Sequence, residues 1–209
     1  METIAGRILG ASFKAQTFAE QVATLLEGKD KAYADRVRFK ATPEFLDKLD
    51  GFIAHVRAAN VEPRDVSVPP YTVDADWIGA RFRKYASTPI RDQIKRVLDD
   101  LVEHMNITYQ KKLAGRDRTR VKSEITSMVR HTTLAALYTA FYEWLGEPKM
   151  FKKARGGRYE YADVFPLIYL MRLVEPVTSM QRIKHVVIDE MQDYTPVQYR
   201  VVDALFHCK

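Results

Sequence analysis

Cysteine is nearly absent from this chain, which has a single one, Cys208, among 209 residues. One cysteine cannot form an internal disulfide, and this predicts a reducing, cytoplasmic setting rather than a disulfide-stabilised secreted domain. The five histidines are scattered and, with one cysteine, give no metal-ligand spacing. A metal site built from the protein alone is therefore not expected.

Long apolar runs are also missing. No stretch reaches the length of about eighteen apolar residues that a membrane span needs, and no basic segment followed by an apolar one opens the chain. The sequence thus predicts neither a membrane span nor a secretory signal. Hydrophobic residues make up 46% of the chain, which is enough to bury the core of one or two domains.

Positive charge is unevenly distributed. The formal net charge is +6, and the stretches Lys111–Arg130 and Lys149–Arg158 together carry +10, so the remainder carries −4. Such concentration suits contact with nucleic-acid phosphates or an acidic protein surface, although a solvated helix face and a lysine-rich loop would have the same composition. The candidate contact residues are Lys111, Lys112, Arg116, Arg118, Arg120, Lys122, Lys152, Lys153, Arg155 and Arg158.

A short apolar run near the C-terminus ends in carboxylates. Residues 186–188 are Val-Val-Ile, and residues 189–193 are Asp-Glu-Met-Gln-Asp. This pattern predicts a buried strand with acidic side chains at its C-terminal end, which is where open α/β sheets bind ligands. In phosphoryl-transfer sites of the P-loop type, a carboxylate at this place holds Mg²⁺. A buried strand that ends in a solvated acidic turn is the simpler alternative.

A helix is predicted directly after the acidic turn. Thr195 can cap it, Pro196 fits its first position, and Gln198 completes a capping box with Thr195. The order is strand, acidic turn and helix, which is half of a βαβ unit. Apolar residues that recur at helical spacing predict a buried face formed by Val197, Val201, Leu205 and Cys208.

The segment Val186–Gln198 resembles motif II, the Walker B element, of superfamily 1 helicases of the UvrD/Rep kind, in which Asp-Glu-x-Gln-Asp follows an apolar strand. The resemblance implies that Asp189 holds the Mg²⁺ of Mg-ATP and that Glu190 positions or deprotonates the attacking water. It also implies that Gln192, grouped with Glu190 as catalytic, and Asp193, grouped with Asp189 as nucleotide-binding, couple the nucleotide state to neighbouring motifs.

Weaker similarities extend upstream, in the order of apolar and turn residues. They resemble HelD-type, helicase-IV-like bacterial proteins, in which a large helical insertion separates the Walker A and Walker B strands. This resemblance implies DNA and RNA polymerase as partners, with ATP turnover that helps to release stalled polymerase. The matching segments are Val37–Lys40, Phe45–Leu49, Pro63–Val73, Thr88–Ile90, Leu137–Phe141 and Tyr159–Leu170.

The phosphate loop that such an ATPase needs is missing. No Gly-x-x-x-x-Gly-Lys-Ser/Thr sequence occurs, and the nearest glycine cluster, at Gly156 and Gly157, has no lysine followed by a hydroxyl residue. The chain is therefore expected to be a central fragment of a longer helicase or translocase, inactive alone, with Mg²⁺ and ATP bound only in the full-length protein. The alternative is a stand-alone basic helical module that binds nucleic acid or protein.

The expected fold class is mainly α with a small β element. Residues 1–146 are interpreted as a helical insertion with a small β element, which the resemblance implies is either a 1B-like domain that contacts duplex DNA or an arm in the polymerase channel. Residues 147–209 are interpreted as part of an α/β P-loop NTPase (RecA-like) domain that carries the Walker B strand and the following helix. A short strand over 35–39 is predicted to pair with an extended segment over 65–73. Helices are predicted over parts of 4–26 and over 42–60, 74–85, 118–145 and 163–173. A further helix is predicted from residue 87 onward, with an apolar stripe of Ile90, Ile94, Val97 or Leu98, Leu101 and Met105.

Overall fold

The computed structural model describes residues 2–10, 12–113, 115–176, 185–187 and 190–206. The chain is mainly helical with one small antiparallel sheet, which confirms the coarse fold class. In the described part of the chain, no helix combines the length and the apolar content that crossing a bilayer requires.

The helices and strands have the following bounds. The helices are α1 (Glu2–Leu9), α2 (Phe18–Glu27), α3 (Lys31–Lys40), α4 (Pro43–Ala59), α5 (Ala75–Lys84), α6 (Ile90–Tyr109), α7 (Gly115–Ser127), α8 (Leu134–Trp144), α9 (Val164–Val174) and α10 (Pro196–Leu205). The strands are β1 (Val66–Val68) and β2 (Tyr71–Val73).

Two compact units divide the chain. The first unit comprises residues 1–52, 137–172 and 176–209, and the second comprises 53–136 and 173–175. The division falls within α4, α8 and α9. The predicted domains, 1–146 and 147–209, are not tested by this division and stay a prediction.

The first unit is built around an aromatic core. Phe141 of α8 meets Phe45 and Phe52 of α4 edge to face, with ring centroids 5.6 and 5.5 Å apart. All three side chains are almost fully buried, so they contribute both burial and the favoured quadrupolar geometry. A parallel bridge between Ala15 and Tyr159 joins the segment before α2 to the segment before α9.

The second unit packs a hairpin and helices around apolar stripes. β1 pairs with β2 in antiparallel register, Val66 opposite Val73, and α7 packs against β1. The side-chain oxygen of Asp74 accepts from the backbone N–H of Trp77 and caps α5. The predicted stripe of α6 is buried, and Val97 and Leu98, given as alternatives, both belong to it. The buried residues of α6 are Ile90, Ile94, Val97, Leu98, Leu101 and Met105.

The strand predicted over residues 35–39 was wrong, because this segment is the second half of α3. The buried residues of α3 are Tyr33, Arg36 and Lys40, which recur at helical spacing. Two of the three are charged, so the helical period was not visible as an apolar pattern. With no strand there, the extended segment 65–73 pairs with itself as the β1–β2 hairpin.

The single long helix predicted over residues 118–145 was also wrong, since α7 and α8 are separate. Asn60 holds the break: its side-chain amide donates to the carbonyl of His131 (3.1 Å), and its side-chain oxygen accepts from the backbone N–H of His131 (3.0 Å). An isolated antiparallel bridge between Val61 and Val129 continues this contact. The helix is thus interrupted by a tertiary contact.

The predicted strand over 186–188 is not formed at Val186 and Val187, the two of its residues that the structure describes. Both are exposed, Val187 to 93% of its surface. A strand requires a neighbour for its backbone hydrogen bonds, and the only sheet in the described residues is the two-stranded hairpin of the second unit.

Candidate functional site

The predicted acidic site is a tight turn in the first unit. Asp189 lies outside the described residues. Met191–Asp193 form a single 3₁₀ turn, closed by the backbone N–H of Asp193, which donates to the carbonyl of Glu190 (3.0 Å). The side-chain amide of Gln192 donates to the carboxylate of Glu190. The structure therefore brings Glu190, Gln192 and Asp193 together in one short segment.

Glu190 has an unusual backbone conformation, with φ of 51°. A left-handed conformation costs a residue with a Cβ atom about 1 kcal/mol. The chain bends at Glu190, and the Glu190 carboxylate remains exposed. Strained residues of this kind cluster at functional sites, which is consistent with a chemical role for this turn.

Helix α10 fixes the downstream side of the turn, as predicted. The Thr195 backbone N–H donates to the side-chain oxygen of Gln198 (2.7 Å), and the Gln198 backbone N–H donates to the Thr195 hydroxyl (3.4 Å). This reciprocal capping box satisfies two donors at the start of the helix. Val197, Val201 and Leu205 are buried, and Cys208 lies outside the described residues.

A cavity of about 110 Å³ lies beside the turn. Asp193 of the acidic turn lines this cavity, whereas Glu190 and Gln192 do not. Drug-sized or nucleotide-sized ligands occupy pockets of roughly 300–1,000 Å³, so this cavity is too small for ATP. The remaining lining comes from Phe18, Gln21, Val37, Lys40, Ala41, Tyr161, Ala162, Phe165, Pro166, Thr195 and Gln198.

Four buried charges lie next to this cavity and were not predicted. Arg36 donates from Nη2 to Oε1 of Glu160 at 2.6 Å and from Nε to the same oxygen at 2.9 Å. The ammonium of Lys40 lies 3.1 Å from Glu160 and 2.5 Å from Asp163. Each of the four side chains is at most 5% exposed. Two cations thus balance two anions in the interior of the first unit.

Two buried tyrosines complete the cluster. The hydroxyl of Tyr138 donates to Oδ1 of Asp163 at 2.6 Å and lies 3.0 Å from the hydroxyl of Tyr142. Burial raises the pKa of both phenols well above 10, and the negative charge of Asp163 adds to this. Burial also raises the pKa of Asp163 above its usual value, although Lys40 opposes the shift. The cluster joins α3 and α8 to the start of α9.

Four of the ten predicted contact residues are held by partners in the chain. Arg118 pairs with Asp99 (3.1 Å), and Arg120 pairs with Glu124 (2.7 Å). Arg158 donates to both carboxylate oxygens of Glu20 (2.9 and 3.0 Å). The ammonium of Lys153 lies over the ring of Tyr159.

The other six contact residues have no ion pair within the described ranges. They belong to different units, since residues 111–130 are in the second and residues 149–158 in the first. All are exposed except Lys111, which is half-buried. They are Lys111, Lys112, Arg116, Lys122, Lys152 and Arg155.

No family model and no curated protein matches the chain. The described residues also contain no group of three or more His, Cys, Asp or Glu side chains placed to hold a metal ion. The candidate site is therefore defined by its own residues: the turn at Glu190–Asp193, the capped helix α10 and the buried charges beside them.

Proposed function

We propose that this chain supplies motif II of a superfamily 1 ATPase related to the HelD group of helicases. The observation that carries the proposal is the sequence Asp189–Asp193 directly before a capped helix. The turn at Glu190 adds support, because it leaves an exposed carboxylate and an adjacent amide on one short segment.

Each motif residue has a proposed task. Asp189 ligates Mg²⁺, and Glu190 orients the attacking water and accepts its proton. Gln192 holds the Glu190 carboxylate through its amide, a contact present in the structure. Asp193 lines the cavity next to the buried charges and so connects the motif to the core of the first unit. Bound Mg-ATP supplies the phosphoryl group and the metal charge that stabilises its transfer.

The residue types of the motif suit Mg²⁺, whereas the loop that would bind the triphosphate is missing from the sequence. Carboxylate and amide oxygens are hard ligands of the kind that Mg²⁺ prefers. The 209 residues contain no glycine-rich loop with the lysine that cradles phosphates. We therefore propose that the phosphate loop belongs to a longer protein and that these residues alone do not turn over ATP.

The RecA-like fold of the segment after residue 147 is part of the proposal. Val186 and Val187 are apolar and exposed, and α10 buries its apolar face. An exposed apolar segment is a common sign of a missing partner surface. We propose that residues 186–188 become a central strand when parallel strands from elsewhere in the full-length protein pair with them.

The proposed full-length protein is a cytoplasmic helicase or translocase that acts on DNA and associates with RNA polymerase. The helical residues 1–146 would form the inserted arm of that protein. Exposed basic residues of both units that have no ion pair with a described residue, such as Lys112, Arg116 and Lys152, suit contact with a phosphate backbone. The same residues favour the second candidate function, a basic helical module that binds nucleic acid or protein without ATP.

The two functions differ in the effect of Glu190→Gln in the full-length protein. This change keeps the shape of the Glu190 side chain and removes the carboxylate that acts as the general base. We expect ATP turnover to fall by at least roughly a hundredfold, as the loss of a general base does, while binding of a fluorescent ATP analogue persists. Glu143→Gln is the matched control, because Glu143 is an exposed glutamate of α8 outside the motif. Turnover equal to that of the control would exclude the motif II assignment and favour the binding module.

A further inference from the structure

A groove of about 580 Å³ on the second unit collects positive charge from separate parts of the sequence. Arg91 and Lys95 reach it from α6, and Arg118 and Lys122 reach it from α7. Asp99 is the only acidic residue among its described lining residues. The volume lies within the usual range of ligand pockets, roughly 300–1,000 Å³.

Helical spacing explains why the charges converge. Arg91, Lys95 and Asp99 follow one another at intervals of four residues on α6, and Arg118, Lys122 and Thr126 do so on α7. Residues four apart lie on the same face of a helix. Because α6 packs against α7, the two rows line the same groove, above the buried side chains of Ile94 and Leu98.

Two of the four cations that line the groove are held in ion pairs, and two are not. Arg118 is bound to Asp99 at 3.1 Å, and Arg91 is bound to Glu175. Lys95 and Lys122 line the same groove and have no ion pair with any described residue. Two ammonium groups that share a groove repel each other, and an anion between them would remove this repulsion.

The N-terminus of α8 adds to the positive potential. Thr132 and Thr133 line the groove directly before α8, and the Thr133 hydroxyl accepts from the backbone N–H of Ala136 (3.3 Å). The positive end of the dipole at a helix N-terminus favours anions. Cations from two helices and a helix start are the elements from which proteins assemble phosphate sites.

We propose that this groove binds phosphate groups, with Lys95 and Lys122 as the principal contacts. The chemistry is the same for a phosphorylated small molecule and for the phosphodiester backbone of a nucleic acid. The inference does not depend on motif II, because all of its residues belong to the second unit. It adds Arg91 and Lys95, which lie outside the two basic stretches of the sequence, to the candidate contact residues.

The test uses the purified 209-residue chain and a double variant, Lys95→Gln with Lys122→Gln. The matched control is Lys14→Gln with Lys48→Gln, two exposed lysines of the first unit with no ion pair among the described residues. Inorganic pyrophosphate binding is measured by calorimetry, and binding of a labelled single-stranded oligonucleotide by fluorescence anisotropy at several salt concentrations. Circular dichroism checks that both variants stay folded.

We expect the groove variant to weaken binding by roughly tenfold or more, and the control to stay within about twofold. For the oligonucleotide, the association constant should also depend less steeply on salt. The slope of its logarithm against log salt should become less negative by about 1.4, because two contacts are lost and each contact to a single strand contributes about 0.7. Loss of pyrophosphate binding identifies a small phosphorylated ligand. Loss of oligonucleotide binding without any pyrophosphate binding identifies a nucleic-acid backbone. If neither probe binds the unaltered chain, or if the groove variant behaves like the control, the inference is wrong.

Discussion

Arg36 and Glu160 form a buried ion pair between residues 124 positions apart, with the guanidinium donating to Oε1 of the carboxylate through both Nη2 and Nε. This pair, with Lys40 and Asp163, fixes α3 against the start of α9. The cavity next to the turn at Glu190–Asp193 is lined by residues of the same two helices, including Val37 and Phe165. The geometry beside the motif therefore depends on this pair.

Replacing Arg36 with methionine should destabilise the chain strongly. The Glu160 carboxylate would remain buried and lose its bidentate partner, which costs about 3–5 kcal/mol. The free energy of unfolding, measured by urea denaturation, should fall by this amount. Arg38→Met is the matched control, because Arg38 pairs with Asp35 at the surface and should change the free energy by less than about 1 kcal/mol. Similar losses for both variants would contradict the role of the buried pair.

Glu20 should make stability depend on pH in the acidic range. The hydrogen bonds from Arg158 lower the pKa of Glu20 below 4.5 in the folded state. The folded state therefore binds fewer protons, so the stabilisation is present above pH 4.5 and is lost as the pH falls through the folded pKa. The melting temperature of Glu20→Gln should lie below that of the unaltered chain at pH 7. At pH 3 the melting temperatures of the variant and the unaltered chain should be closer together than at pH 7. A difference between the two that increases as the pH falls would contradict the prediction.

Removing the cap of α10 should destabilise this helix, which follows the turn at Glu190–Asp193. Thr195→Ala deletes the hydroxyl that accepts from the Gln198 backbone, and the loss of such a cap costs about 1 kcal/mol. Urea denaturation measures this change. Thr119→Ala serves as the control because Thr119 is exposed inside α7, where alanine has the higher helix propensity. If Thr119→Ala lowered the free energy of unfolding as much as Thr195→Ala does, capping would not be the cause of the change.

Core packing in the first unit can be tested at Leu49 of α4. Its side chain is fully buried, so Leu49→Ala should lower the free energy of unfolding by about 2–5 kcal/mol through lost transfer energy and a new cavity. Leu26→Ala makes the same chemical change on a side chain that is 82% exposed. That control should stay within about 0.5 kcal/mol of the unaltered chain. Equal effects would show that Leu49 is not a core residue.

Apolar periodicity made several helices predictable. The stripe of α6 recurs at intervals of three and four residues, and all of it is buried. The start of α10 was equally clear, because Thr195, Pro196 and Gln198 each carry a capping signal in the sequence itself. These elements are specified by local residues, so no knowledge of distant contacts was needed.

Features that depend on distant contacts were not predictable in the same way. The break between α7 and α8 is held by Asn60, a residue far from it in sequence. The buried face of α3 is formed largely by Arg36 and Lys40, and charged residues in a sequence are normally interpreted as exposed. Only the pairing with Glu160 and Asp163 makes their burial possible.

The chemistry assigned to the candidate site stays a prediction, and its local structure was predictable only in part. The sequence indicated Glu190, Gln192 and Asp193 and the helix behind them, and the structure places these residues in one turn. It could not indicate the left-handed backbone of Glu190. Nor could it indicate that Arg91 and Lys95 of α6 share a groove with Arg118 and Lys122, because this depends on how two helices pack.

The Mg²⁺ dependence of ATP turnover by the full-length protein carrying Asp189→Asn tests the central claim most directly. If Asp189 ligates the metal, its loss should raise the Mg²⁺ concentration needed for half-maximal turnover by roughly tenfold or more, or abolish turnover. Asp47→Asn, at an exposed position of α4, is the matched control and should leave the Mg²⁺ dependence unchanged. An identical Mg²⁺ dependence and rate for the two variants would contradict the assignment of motif II.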